Sequence, residues 1–146
     1  MNKKCNTIVW EGWCSLEIPE GWTWSQDDAL INIFAESEGV GDIQISFAKR
    51  QRTDKPSNDE VVKLSHSFAE SQSWKVDARL IRVNRFDESF MSTMAYLTVG
   101  EENTSWRIWH IVEDARVVCI TYNSAEGDKD IEADAVHAIV NSFKWR

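Results

Sequence analysis

The sequence predicts an α+β fold: a twisted antiparallel sheet of about six to seven strands flanked by two helices, in the order β-ββ-α-ββββ-α. Three observations predict it. Apolar residues alternate with polar ones in short runs rich in β-branched and aromatic side chains, the period of a half-buried strand. Short turns join many of these runs, which marks hairpins, not parallel βαβ units. Two stretches alone repeat their apolar residues at helical spacing, and each such stripe needs a sheet face to cover it.

Thr7 to Pro19 reads as one strand, bulged at Gly12, that ends in the turn Pro19-Glu20-Gly21. Ala29 to Glu36 alternates, the glycines of residues 37–42 form a hairpin loop, and Ile43 to Lys49 returns. The polar stretch Arg50 to Pro56 breaks the pattern. Ser57-Asn58-Asp59-Glu60 then matches a capping box, in which the Ser57 hydroxyl accepts from the Glu60 amide and Glu60 reaches back. Val61, Leu64, Ser65, Phe68 and Gln72 continue at helical spacing.

Val76 to Phe86, Phe90 to Val99, Ser105 to Ile111 and Val117 to Tyr122 read as four further strands, the last two paired as a hairpin. Ile131, Ala135, Ala138, Ile139 and Phe143 mark a closing helix. Asp128, Asp130, Glu132 and Asp134 sit near its start, where the helix dipole favours negative charge. There is no internal repeat and no long linker, so residues 1–146 are expected to form a single domain.

A chain of 146 residues buries roughly 68–70% of its unfolded surface without a metal or disulfide staple. With 24 acids against 16 bases the formal net charge is -8. Repulsion from phosphate argues against nucleic acid and anionic membrane surfaces as partners, and a basic protein would be steered in. Cys5, Cys14 and Cys119 are an odd set without a C-x-x-C pair, which fits reduced thiols in the cytoplasm. Met1-Asn2-Lys3-Lys4 has the charge of a signal-peptide start but no apolar core follows it, and no stretch reaches the roughly 18 apolar residues of a membrane span.

Ser15-Leu16-Glu17-Ile18-Pro19-Glu20-Gly21-Trp22 resembles the opening of PsbP-like domains, where a strand runs into a Pro-x-Gly-Trp turn. Ile139-Val140-Asn141-Ser142-Phe143 is similar to the family's ending, a terminal apolar helix whose last turn carries Ser-Phe. That fold is shared by the photosystem subunit PsbP, a yeast Ran-binding protein and several bacterial families. The resemblance implies a binding or assembly module, not an enzyme. Among bacterial relatives of similar size and acidity it points to an immunity protein, or to an adaptor or chaperone that loads effectors for type VI secretion. Such adaptors are often dimeric, so a homodimer is kept open.

Eight tryptophans are the most unusual feature, with Trp10, Trp13, Trp22 and Trp24 inside fifteen positions. Trp10 and Trp13 flank Gly12 and read as core. Trp22 and Trp24 share one side of an extended segment that runs into Asp27 and Asp28. These four residues, Trp22, Trp24, Asp27 and Asp28, are the candidate partner-binding residues, because exposed indoles make binding hot spots. Trp106 and Trp109 have opposite parity, so each should lie beneath a different helix.

His110 shares the parity of Trp106 and reads as a partly buried, hydrogen-bonded histidine. His66, His110, His137 and Cys119 carry no local signature of a nucleophilic site, and no H-x-x-x-H or C-x-x-C spacing suggests a metal. Asp128 to Glu132 lacks the glycine and distal glutamate of a calcium loop. Gly39-Val40-Gly41 joins two strands and has no helix start to hold an anion. Neither cofactor, metal nor catalysis is expected. The reading is a non-catalytic protein-binding module, with a small-ligand-binding protein or an enzyme with an unrecognised pocket as the alternative.

Overall fold

The computed structural model describes residues 5–51, 54–100 and 103–146. In chain order the elements are β1 (Cys5–Trp10), β2 (Cys14–Pro19), β3 (Trp22–Asp27), β4 (Leu30–Ala35), β5 (Gly41–Lys49), α1 (Asn58–Ser71), β6 (Arg82–Phe86), β7 (Ser89–Thr98), β8 (Thr104–Val112), β9 (Arg116–Ala125), α2 (Ala133–Asn141) and β10 (Lys144–Trp145). Seven strands form one antiparallel sheet in the order β3-β4-β5-β9-β8-β7-β6, and β1-β2-β10 form a small second sheet. The chain thus adopts the expected α+β architecture. The charged start Met1–Lys4 and two residues of the polar stretch before α1, 52 and 53, lie outside the described residues.

Alternation along each strand sends side chains to opposite faces of the large sheet. One face presents Ile31 and Ile33 of β4, Ile43 and Ile45 of β5, Trp109 and Ile111 of β8, and Val118 and Ile120 of β9. Leu16 and Ile18 of β2 pack against it, together with Val136, Ile139 and Val140 of α2 and Phe143 just beyond. Each of these buried side chains contributes roughly 1.5–3 kcal/mol relative to exposure. α1 lies on the opposite face, mainly over β7 with β6 and β8 beside it, and buries Val61, Ser65 and Ala69. Trp106 and Trp109 accordingly separate: Trp106 joins the cluster under α1, and Trp109 lies edge-on to His137 of α2 at 6.2 Å.

Four local expectations are corrected. Thr7–Pro19 is not one bulged strand but a hairpin: β1 pairs with β2 from Cys5↔Pro19 to Trp10↔Cys14. Gly12 has φ +81°, a left-handed turn conformation that an L side chain rarely adopts, so it reverses the chain where a bulge would only bend it. Val76–Phe86 is only half strand. Asp77 accepts from the Arg79 amide at 2.9 Å and caps a single 3-10 turn, Ala78–Leu80, before β6 starts at Arg82.

The capping box at α1 closes on one side only. Ser57 Oγ accepts from the Glu60 amide at 3.2 Å, but the Glu60 carboxylate turns to Arg50 Nη2 at 3.0 Å. A guanidinium that also donates to the carbonyls of Asp54 and Asp114 competes successfully for it. α2 begins at Ala133, so Ile131 precedes it and is 65% exposed. Ser142 caps its end, and Phe143 is buried after the helix has finished.

Candidate functional site

The segment Trp22–Asp27 is a strand, β3, and it is an outer edge of the large sheet. Gly21 has φ +88°, which lets the chain reverse out of β2, and Asp28 has φ +51°, a conformation that Asp tolerates, in the turn into β4. Register places Trp22 opposite Ala35 and Trp24 opposite Ile33, so both indoles leave β3 toward the face that carries the main core. Their surroundings differ. Trp22 packs on the core at the start of the strand, whereas Trp24 is 37% exposed and rests edge-on against Trp10, with ring centroids 5.6 Å apart. Trp10 is itself buried and reaches Phe47, on which Trp13 stacks at 4.8 Å. Ser25, Gln26, Asp27 and Asp28 are exposed.

The stretch of sequence that builds this edge carries charge of one sign. Between Cys5 and Ala48 the chain carries Glu11, Glu17, Glu20, Asp27, Asp28, Glu36, Glu38 and Asp42, and no Lys, Arg or His. Those eight acids equal the formal charge of the whole protein, -8, so the rest of the sequence is balanced. Asp27 and Asp28 lie at one end of β3. Glu20 and Glu36 lie at the other, where the Glu36 amide donates to Gly21 O at 2.8 Å. The result is an open strand edge with an aromatic side chain at its middle and carboxylates at both ends. The base-free stretch was readable in the sequence; that it folds into the sheet's edge required the strand order.

The opposite edge is uneven. β6 pairs with residues Ser89 to Thr93 of β7, so Met94 to Thr98 have β8 on one side and, among the described residues, no strand on the other. A cleft of about 330 Å³ runs along this unpaired half between Tyr96 and Leu97 and the segment from Lys75 to Leu80. Leu80 and Leu97 are exposed there. No sequence signal marked them, because unequal strand lengths in a ladder appear only in the register.

The groups that could have carried chemistry are held as structure. Ser65 of α1 meets Ser92 Oγ at 2.5 Å and His110 Nδ1 at 3.0 Å, which fixes the helix to β7 and β8. His110 is buried more completely than expected, 3% exposed, and burial pulls its pKa from 6.5 down to about 4, so the ring is neutral at pH 7. Cys119 is its cross-strand neighbour. Burial pushes that thiol up to about 12, against a smaller opposing effect of a hydrogen bond with Ser46, so it is protonated at neutral pH.

His66 and His137 lie on helix surfaces, His66 bonded to Val76 O at 3.0 Å and His137 beside Arg107 at 3.2 Å. Among the described residues no group of three or more His, Cys, Asp and Glu is placed to hold a metal ion, and no helix is long and apolar enough to cross a membrane. Gly39, Val40 and Gly41 line an open polar cleft of about 750 Å³ at the ends of β5, β8 and β9.

No family model matches the chain, and no curated protein matches it in sequence. Solved structures do match it in fold. The solution structure of cyanobacterial PsbP (CyanoP) from Synechocystis gives a TM-score of 0.69 at 11% identity, covering 100% of this chain and 95% of that one. A crystal structure from Bacteroides thetaiotaomicron gives a TM-score of 0.67 at 11% identity, covering 96% of this chain but 48% of that one, so this chain spans about half the length of that protein. The chain has a PsbP-like α+β fold. Identity this low carries the fold and nothing finer.

Proposed function

We propose that the protein is a non-catalytic binding module for another protein, of the immunity or secretion-adaptor kind, and that the β3 edge is its contact surface. The observation that carries this reading is Trp24, half-open on an unpaired strand edge and flanked by carboxylates without one base in the surrounding sequence. An unpaired edge offers backbone groups to a partner's extended segment. An indole beside it supplies a large rigid contact, and the carboxylates set the sign of the partner. The partner is therefore basic where it touches this edge. An immunity protein that covers the active site of a toxin acting on nucleic acid needs such a surface, since that active site is itself shaped to attract phosphate.

The adaptor reading draws on the other edge, where the unpaired half of β7 and the exposed Leu80 and Leu97 would suit an apolar effector segment. The experiment that separates the readings is capture on the immobilised protein from lysate of its source organism, with stepwise salt elution. A single basic protein that leaves in moderate salt supports the β3 reading. A partner with an apolar segment that stays through high salt supports the adaptor. A column that retains nothing in stoichiometric amount counts against both.

A further inference from the structure

α1 lies mainly over β6, β7 and β8 and reaches β9 only at Val117, near its start; where the helix ends a cavity opens over β5 and β9. Its floor is built from two neighbouring register pairs, Gln44↔Thr121 and Ser46↔Cys119. Phe68 of α1 and Trp106 of β8 form its aromatic walls, and Gln72, one helical turn beyond Phe68, stands at the mouth. The volume is about 170 Å³, close to the roughly 150 Å³ of an apolar cavity that takes up benzene.

Two features distinguish this cavity from a packing gap. Thr121 is 6% exposed, and its hydroxyl has no hydrogen-bond partner among the described residues, a condition that a buried polar group rarely tolerates. The amide of Gln44 spends one donor on Asn32 Oδ1 at 3.3 Å and keeps its carbonyl for another partner. None of the residues lining the cavity is an acid or a base. An ion entering it would lose hydration without a counter-charge, whereas a neutral ring would gain stacking and hydrogen bonds.

We propose that this cavity is a binding site for a small neutral planar molecule that carries both a hydrogen-bond donor and an acceptor, a single-ring amide or a compound of that size. The ring stacks between Phe68 and Trp106, and its polar group satisfies Thr121 and Gln44. The site lies on the α1 face of the sheet, whereas the Trp24 contact lies on the other, so one can fail without the other.

The test titrates benzamide, with benzoate as the charged match, into the ¹⁵N-labelled protein. Benzamide should shift the side-chain amides of Gln44 and Gln72 and the Trp106 indole saturably, and benzoate should not. Thr121→Val should weaken benzamide about tenfold. The same variant without ligand should melt at the wild-type temperature or above it, since the hydroxyl it removes has no partner among the described residues. No saturable shift at these residues, equal binding of benzoate, an unchanged affinity in Thr121→Val, or a lower melting temperature of that variant would each overturn the assignment.

Discussion

Trp10 and Trp24 meet edge to face, 5.6 Å between ring centroids and 82° between planes, although one belongs to the small sheet and the other to the large. The contact joins an indole of the buried core to one that solvent reaches. It holds Trp24 in one orientation before any partner arrives, which reduces the entropy lost on binding.

Trp24→Ala should therefore cost little stability and much binding. The lost aromatic pair and half-buried surface are expected to lower stability by about 1 kcal/mol. A partner's affinity should fall by roughly 2 kcal/mol, or about thirtyfold, if the indole is the anchor of the contact. Chemical denaturation and calorimetric titration measure the two effects separately. Trp22→Ala should reverse the balance, since Trp22 packs on the core.

Gly41 is fixed by space. A Cβ there would stand 2.3 Å from Asn123 O and 2.7 Å from the Tyr122 ring. Backbone oxygen in the β5-β9 ladder cannot move aside, so Gly41→Ala should destabilise the fold by about 2 kcal/mol or more, read as a lower melting temperature. Gly127 meets nothing within 4 Å, and the same substitution there should leave the melting point near that of the parent.

Arg116 ties three parts of the chain together. Its Nη1 donates to Gly12 O at 2.6 Å and Arg146 O at 2.7 Å, its Nε pairs with Glu113, and its guanidinium lies 4.7 Å from the centre of the Trp145 ring. Arg116→Ala should cost roughly 2–3 kcal/mol and release β10 first, visible as accelerated hydrogen exchange at Lys144 to Arg146. Arg116→Lys should recover little of this, because an ammonium cannot reproduce the fork and the stacked plane.

His110 makes stability depend on pH. Its folded pKa of about 4 lies below the unfolded value of 6.5, so between them the unfolded chain binds a proton that the folded chain refuses. Stability should fall as pH drops from about 6.5 to about 4, by up to roughly 3 kcal/mol, and His110 should add no further loss below that. The groups that face the ring are Ser65, Ser92, Phe68 and Cys119, none of them charged near neutral pH. Denaturation midpoints across that range should slope in the parent and slope less in His110→Phe. Equal slopes in both would remove His110 as the cause.

What the sequence disclosed followed from short-range periodicity. Alternation in ALINIFAE and IQISFAK placed β4 and β5, the Ser57 cap placed α1, and the opposite parity of Trp106 and Trp109 put a helix over each face. Errors arose where a few residues redirect the chain. Gly12 turns it fully instead of bulging it, and Asp77 caps a 3-10 turn inside an apolar run that reads as strand. The candidate residues Trp22, Trp24, Asp27 and Asp28 do lie together on one strand and its turn. That β3 is the sheet's edge, that Trp22 turns to the core, and that β7 outruns β6 are facts of long-range pairing, which local pattern does not encode.

The central claim is that an acidic strand edge around Trp24 binds a basic protein. Its most direct test compares the wild type with the double charge reversal Asp27→Lys and Asp28→Lys, by titrating the partner captured from lysate into each. Both residues are exposed and the left-handed Asp28 turn costs a Lys only about 1 kcal/mol, so both proteins should fold with matching circular dichroism. The account predicts tight, salt-sensitive binding to the wild type and a loss of at least tenfold in the reversed variant. Equal affinity of the two proteins would contradict it and move the contact away from β3.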